Sequence, residues 1–445
     1  MNYYLQKRFT KRDPIGVGTF PLPIHEAPQC SESVILSNKK TNNKKYVNIY
    51  IHIPFCSKIC HFCGLNRSIF DFDTAERYVN ALINEIKIYK KKGMSDNVTI
   101  QAIYFGGGTP NTLSFLQIIK IVNIIQNNFD ILPDVEITVE GMIFNFTPEY
   151  LGALKKNGVT RVSTGVQTFD TDIRGLLGLN TDIQSLKKCL SNIKNTFDNF
   201  NIDLIYNLPN QSVDQYMNDL KIAIEDYDVP HLTLNPLVIL INSVLYGKVE
   251  KGELNCTDEQ MECDFFDLSV TYLKEKNRVH YSVRDFSKEN CLCKYIVHNA
   301  YSNDVIAFGA GAFGFMNNVV YRNFTNINDY IDRCNHDLFP IEKYKECSND
   351  EVLSRFMLMA LRLTNCDLSK SSLICERNAD EVFRIQLLEL EEEGFIHRNG
   401  PTVTFTELGL YWGNNIRAEF TKSDSLSYIG YDLKGIGKIG RGNYI

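Results

Sequence analysis

No apolar run in the sequence reaches the ~18 residues a helix needs to cross a bilayer. The opening MNYYLQKRFTKRD carries no apolar stretch of the kind a secretory leader has. Both absences lead to the expectation of a cytoplasmic protein without a membrane span. Charge of one sign is scarce as well: 47 basic residues against 53 acidic ones leave a net −6, which gives no field to draw in nucleic acid or an anionic membrane. Paired cysteines are also missing. The 13 cysteines are an odd number spread over 445 residues, whereas disulfide scaffolds are secreted chains usually under ~80 residues. Cys30, Cys189, Cys256, Cys263, Cys334, Cys347, Cys366 and Cys375 therefore read as small buried hydrophobes. Cys291 and Cys293 in ENCLCKY read as residues of a loop, with a second metal or redox site as the alternative.

What is present is a run of alternating elements. YVNIYIHI (46–53) has the pattern of a strand, and 73–92 that of an amphipathic helix with an Asp at its N-cap. Strands at 98–105, 135–140, 160–166, 199–206 and 231–239 alternate with helices at 113–129, 147–158, 182–196 and 212–227. Such βα repeats predict an α/β protein whose parallel sheet carries helices on its outer face. Periodicity does not say whether the sheet closes. From about residue 350 the texture becomes helical, then FIHRNGPTVTFTELGLYWGNNIRAEF adds a β-wing and a last helix. The expected organisation is an extension (1–45), a core (46–340), a winged-helix-like unit (341–422) and a Gly-rich tail (423–445). Winged helices often bind DNA, but Glu389, Glu391, Glu392 and Glu393 point this one to packing. GIGKIG (435–440) has G-x-G-x-x-G spacing without the strand and helix that a nucleotide site needs, and reads as tail.

The informative stretch is YIHIPFCSKICHFCGLNR (50–67), with Cys56, Cys60 and Cys63 spaced C-x3-C-x2-C at the end of the first strand. Active sites of parallel βα folds lie at that end of the strands. Zinc would require a fourth ligand. His52 and His61 are candidates, one inside a strand pattern and the other wedged between two of the cysteines. Three thiolates instead suit a 4Fe–4S cube with one iron open to an outside ligand. Pro54, Phe55 and Phe62 would shield it.

These residues resemble the signature of radical S-adenosylmethionine (SAM) enzymes. More narrowly, YIHIPFC…CHFCG.N is similar to the oxygen-independent coproporphyrinogen III oxidase family and its class C methyltransferase relatives, which include the haem-degrading anaerobilin synthases. YFGGGTPNTL (104–113), EITVEG (136–141), RVSTGVQTFD (161–170), NIDLIYNLPNQ (201–211) and NDVIAFGAGAFGF (303–315) carry the resemblance further along the chain. It implies a partial (βα)6 barrel followed by the small winged-helix-like domain, with one 4Fe–4S cluster on Cys56, Cys60 and Cys63 and two SAM molecules. Tyr50, Gly107, Glu140 and Phe313 match contacts to the first SAM. Phe62, Gly108, Thr109, Gln167 and Asp203 match contacts to the second. Read physically, the glycines let the backbone approach a ligand closely, and Asp203 in an apolar run requires a polar partner.

Departures from the oxidase pattern bear on the substrate. Leu65 replaces the oxidase's fourth cysteine, and Leu179 stands where an arginine is expected, with Arg174 near enough to replace it. PIGVGTFPLPIHEAP occupies the place of the oxidase's N-terminal segment. The haem chaperone group has Asp and Phe after the third cysteine, where this chain has CGLN. The resemblance thus implies a 5′-deoxyadenosyl radical generated with an electron from a reductase, flavodoxin or ferredoxin. The expected reaction is class C methyl transfer or cyclisation on a planar unsaturated small molecule: a tetrapyrrole, quinone or heteroaromatic. Oxidative decarboxylation of coproporphyrinogen III and haem binding by a chaperone-like protein are the alternatives.

Overall fold

The computed structural model describes residues 6–14, 16–27, 44–63, 67–240, 243–254, 258–302 and 304–421. Leu65, Cys30, Cys256 and the GIGKIG tail lie outside the described residues.

The βα series forms as the periodicity requires. Six parallel strands stand side by side in chain order: β1 (Lys45–Ile53), β2 (Val98–Gly107), β3 (Asp130–Gly141), β4 (Arg161–Gln167), β5 (Phe200–Tyr206) and β6 (His231–Pro236). A seventh strand, β7 (Val305–Phe308), pairs parallel to β1 on its free side. Antiparallel strands extend both ends into a 13-stranded sheet whose two edge strands, His25–Glu26 and Val279–His280, do not pair with each other. Among the described residues the sheet does not close on itself.

The connecting helices are α1 (Phe72–Lys91), α2 (Phe115–Asn128), α3 (Pro148–Lys156), α4 (Ile183–Thr196) and α5 (Val213–Lys221). Local chemistry sets their starts. Asp71, rather than the expected Asp73, caps α1 by accepting from the Thr74 N–H. Ser114 and Gln117 form a reciprocal capping box on α2, as Ser212 and Gln215 do on α5. The helix expected over 212–227 changes at Ile222 to a π turn through Asp226.

Side chains alternate across each strand, and the two faces differ sharply. Ile49, Ile51, Ile53, Ile103, Phe105, Val139, Ile202 and Leu204 are fully buried in the main core, each worth about 1.5–3 kcal/mol of burial. The opposite face carries Tyr50, His52, Tyr104, Glu140, Ser163, Asn201 and Asp203. A parallel sheet buried on both faces is normally apolar on both, so a polar inner face marks a surface built to hold something other than core.

The C-terminal region places helices around a three-stranded antiparallel sheet of Asn365–Asp367, Thr402–Phe405 and Ile396–Asn399. Three acids of this region are used internally: Arg8 pairs with Glu389 at 3.3 Å, Glu393 at 3.0 Å and Glu419 at 2.7 Å. The N-terminal segment continues across the same region. Arg12 donates to the Tyr411 carbonyl (2.7 Å) and pairs with buried Glu262, and Arg355 holds the Phe20 carbonyl at 3.0 Å. No helix among the described residues is long and apolar enough to cross a membrane.

Candidate active site

The cysteine loop leaves the end of β1 and is pinned at both ends. Phe55–Cys56 pairs in parallel with Ser68–Ile69, and the Phe70 N–H donates to the Cys56 carbonyl at 2.9 Å. Phe55 packs edge-on against Tyr78 (5.3 Å) and Phe70, anchoring the loop in the core. Cys56 is buried, while Cys60 and Cys63 are partly exposed. The Thr109 hydroxyl donates to the Cys56 Sγ at 3.4 Å. Burial, with Cys63 and Cys56 beside it, pushes the Cys60 thiol up to about 11, and burial also raises Cys56. Such thiols stay protonated at neutral pH unless a metal takes the proton's place.

Neither histidine completes a zinc site. His61 Nδ1 lies 2.8 Å from the Leu176 carbonyl, and its backbone bonds Leu177 and Leu245. The Tyr50 hydroxyl is 3.3 Å from His52 Nδ1. Among the described residues no three His, Cys, Asp or Glu side chains converge on a single ion. The donor set of three thiols without a carboxylate fits a 4Fe–4S cluster, and the wall beside it is shaped for close approach. A Cβ on Gly108 would lie 2.8 Å from the Phe55 carbonyl and 3.0 Å from the Cys56 Sγ. Gly107 sits at φ +119°, with the His52 ring 2.8 Å from where a Cβ would be.

The remaining candidates form two groups. Tyr50, Gly107 and Glu140 lie together at the ends of β1, β2 and β3: Tyr50 stacks on Tyr104 (centroids 6.5 Å apart), and the Tyr104 hydroxyl donates to Glu140 Oε1 at 2.5 Å. Burial raises the Glu140 carboxyl to about 7 against the opposing Tyr104 hydrogen bond. Phe313, expected with this group, lies on Phe313–Met316 with its ring 5.9 Å from the Arg322 guanidinium.

The second group, Phe62, Gln167 and Asp203, lines a cavity of about 560 Å3 together with Cys63. Gln167 has φ +69° at a bulge between β4 and β5, a conformation rare for a residue with a side chain. Asp203 accepts from Asn201 Nδ2 at 2.7 Å, and burial raises its carboxyl to about 6. Behind it Asn201 meets His231 Nδ1 at 2.6 Å, and His231 Nε2 meets the Tyr281 hydroxyl at 2.8 Å. Gly108 and Thr109, expected with the second group, are not among the residues lining that cavity and lie against Cys56 and Pro54.

Two sequence signals read differently in three dimensions. Arg174, the near substitute for the missing arginine, is buried and donates to the carbonyls of Val166 (2.7 Å), Thr168 (2.8 Å) and Asn180 (2.6 Å). It braces the turn after Gln167. Leu179 packs with Phe62 against the apolar cluster of Ile205, Leu237 and Leu245. Cys293 is buried, its Sγ 3.5 Å from Glu136 Oε1, and burial pushes its thiol up to about 12. The cavity's other walls were not legible in the sequence: Pro14, Gly16, Val17 and Gly18 of the N-terminal segment and Arg284, Arg362 and Arg417. These come from segments without a local motif.

The chain is similar to known proteins over most of its length. The radical SAM superfamily pattern matches residues 50–223. The heme chaperone HemW of Bacillus subtilis is 28% identical over 379 residues, 83% of this chain and 98% of that protein. The anaerobilin synthase of Escherichia coli O157:H7 is 29% identical over 321 residues, 70% of each chain. The oxygen-independent coproporphyrinogen III oxidase of Synechocystis is 25% identical over 407 residues, 85% of each. The solved coproporphyrinogen III oxidase of Escherichia coli shares the fold, with a TM-score of 0.78 at 20% identity over 92% of this chain and 96% of that one. With its cysteine loop at the end of β1, the chain carries a radical SAM domain over residues 50–223 and is similar along most of its length to heme chaperones, an anaerobilin synthase and an oxygen-independent coproporphyrinogen III oxidase.

Proposed function

We propose that this radical SAM enzyme uses two SAM molecules to carry out class C methyl transfer, or the related ring closure, on an unsaturated carbon of a tetrapyrrole. The observation that carries the reading is the division of the site into two groups that share the cysteine loop. Tyr50, Gly107 and Glu140 cluster at one set of strand ends, while Phe62, Gln167 and Asp203 line a roomy cavity beside Cys63. When bound on Cys56, Cys60 and Cys63, a 4Fe–4S cluster supplies the electron, delivered by a flavodoxin or ferredoxin, that cleaves SAM to a 5′-deoxyadenosyl radical.

The chain's own residues position and protect. Glu140 accepts a hydrogen bond from SAM as it does from Tyr104, and the Gly107 backbone lets the ligand lie against β2. Asp203, braced by Asn201, accepts from the ribose hydroxyls of the second SAM, and Gln167 faces the same cavity. Phe62 and the apolar cluster behind it exclude water from the reacting atoms. The tetrapyrrole class is supported by the relatives' names: a heme chaperone, an anaerobilin synthase and a coproporphyrinogen oxidase.

A second reading, haem binding as a chaperone, is favoured by the similarity to the Bacillus subtilis heme chaperone across 83% of the chain. Anaerobic incubation of the reconstituted protein with SAM, dithionite and either haem or coproporphyrinogen III separates these readings by mass spectrometry. Methyl transfer yields S-adenosylhomocysteine, deoxyadenosine and a heavier tetrapyrrole. Loss of carbon dioxide from coproporphyrinogen assigns oxidative decarboxylation instead. Stoichiometric haem binding without deoxyadenosine assigns the chaperone.

A further inference from the structure

Behind Asp203 lie three buried side chains, Asn201 on β5, His231 on β6 and Tyr281, of which the proposed reaction uses only the first. Their hydrogen bonds run in one line. The Cys293 N–H is 3.4 Å from the Tyr281 hydroxyl, which is 2.8 Å from His231 Nε2. His231 Nδ1 is 2.6 Å from Asn201 Oδ1, and Asn201 Nδ2 is 2.7 Å from Asp203 Oδ1. The line begins in the ENCLCKY segment and ends at a carboxyl of the cavity wall.

Donor and acceptor chemistry gives this line a direction. An ionised carboxylate only accepts, so Asn201 must present its amide nitrogen to Asp203. The second hydrogen of that nitrogen goes to Ser163 Oγ at 2.9 Å, which leaves the amide oxygen facing His231. The oxygen needs a donor. The Thr233 hydroxyl lies 3.2 Å from it but gives its single hydrogen to Asp285 at 2.8 Å. The donor is therefore His231 Nδ1–H. The imidazole is neutral: burial, then Arg161 and Arg362, drive it down to about 3 against the opposing charge of Asp285. A neutral ring with its proton on Nδ1 accepts at Nε2, so the Tyr281 hydroxyl donates there and accepts in turn from the Cys293 N–H. Each donor points toward Asp203.

We propose that His231, held in its Nδ1–H tautomer by Tyr281, is a positioning residue that locks the Asn201 amide and so fixes the Asp203 carboxylate in the cavity. This rests on the reading of Asp203 as the acceptor for the ribose of the second SAM. Without the Tyr281 hydroxyl the ring is free to carry its proton on Nε2. Nδ1 then meets Asn201 Oδ1 as a second acceptor, the amide turns over, and its oxygen is set against the Asp203 carboxylate. Bonds aligned in this way strengthen one another. A carboxylate fixed from behind also binds without first losing side-chain freedom.

NMR on full-length protein carrying nitrogen-labelled histidine reads the tautomer, and the signal missing from His231→Gln identifies the ring. Wild type is expected to show a protonated Nδ1 and a bare Nε2 at neutral pH, and Tyr281→Phe to shift the proton toward Nε2. Anaerobic kinetics on reconstituted enzyme then follow S-adenosylhomocysteine formation against SAM concentration, with iron content and circular dichroism checking that each variant is folded. Tyr281→Phe and His231→Leu should raise the KM for SAM about ten-fold, with little change in kcat. In His231→Gln the new amide can accept from Tyr281 and donate to Asn201 together, so this variant should recover most of the affinity. A proton on Nε2 in wild type overturns the proposal, as does an unchanged KM in Tyr281→Phe when Asp203→Asn raises it. If Asp203→Asn leaves the KM unchanged, or wild type forms no S-adenosylhomocysteine, the second-SAM reading falls. The tautomer in Tyr281→Phe then decides alone: a shifted proton keeps the positioning role and an unshifted one removes it.

Discussion

The Tyr104 hydroxyl donates to Oε1 of Glu140 across 2.5 Å, joining the ends of β2 and β3 beneath the ring of Tyr50. Burial nevertheless raises the Glu140 carboxyl from 4.5 to about 7. In the cofactor-free fold the ionised form is thus disfavoured. The penalty is absent below the ordinary value of 4.5, grows as pH rises towards 7 and is complete above it. Glu140→Gln should therefore raise the melting temperature of the apo protein at pH 8, by the equivalent of roughly 3 kcal/mol or less, and change little at pH 4. The same variant should lose deoxyadenosine formation at least ten-fold if the carboxylate holds SAM. Thermal unfolding at the two pH values and product analysis check both.

The glycine cradle gives a steric prediction. Gly108→Ala places a methyl 2.8 Å from the Phe55 carbonyl and 3.0 Å from the Cys56 Sγ, so the first ligand strand must shift. We expect reconstituted Gly108→Ala to bind distinctly less iron than wild type, with weaker visible absorption, while far-ultraviolet circular dichroism stays native. Normal iron content would show that the cradle tolerates a side chain.

Periodicity carried the sheet because each parallel strand is also a local run of β-branched residues between helices. The expected strand 46–53 is Lys45–Ile53, and 199–206 is Phe200–Tyr206. Spacing drew attention to the cysteine loop, since three thiols in one short segment announce themselves in sequence. The cavity's arginines were illegible for the opposite reason. Arg284, Arg362 and Arg417 have ordinary neighbours, and only the packing of the C-terminal helices and the N-terminal segment against the sheet brings them together. Arg174 shows the converse error: near in sequence to the place of a missing arginine, it is committed to backbone carbonyls.

The two cysteine clusters should separate in experiment. Cys60→Ala removes a member of the loop triplet and should abolish both iron binding and deoxyadenosine formation. Cys293→Ala should leave iron content unchanged, because this thiol is buried beside Glu136 with its pKa pushed up to about 12. It should lower stability by about 1 kcal/mol through lost packing. Iron analysis of the two variants alongside a denaturant titration decides the matter; a drop in iron for Cys293→Ala would restore the second metal site.

Gln167 combines a left-handed backbone, φ +69°, with a side chain at the cavity. Strain of this kind costs about 1–3 kcal/mol and survives where the surroundings impose it, often at functional sites. Glycine adopts the conformation freely but pays chain entropy on folding. Gln167→Gly should therefore leave stability within about 1 kcal/mol of wild type, while Gln167→Val, stiff at its β-branch, should destabilise by more than that. Both variants lack the amide, so on the proposed two-SAM reaction both should show a raised KM for SAM in S-adenosylhomocysteine formation. A Gln167→Gly enzyme with an unchanged KM would reduce this residue to a backbone corner without a part in binding.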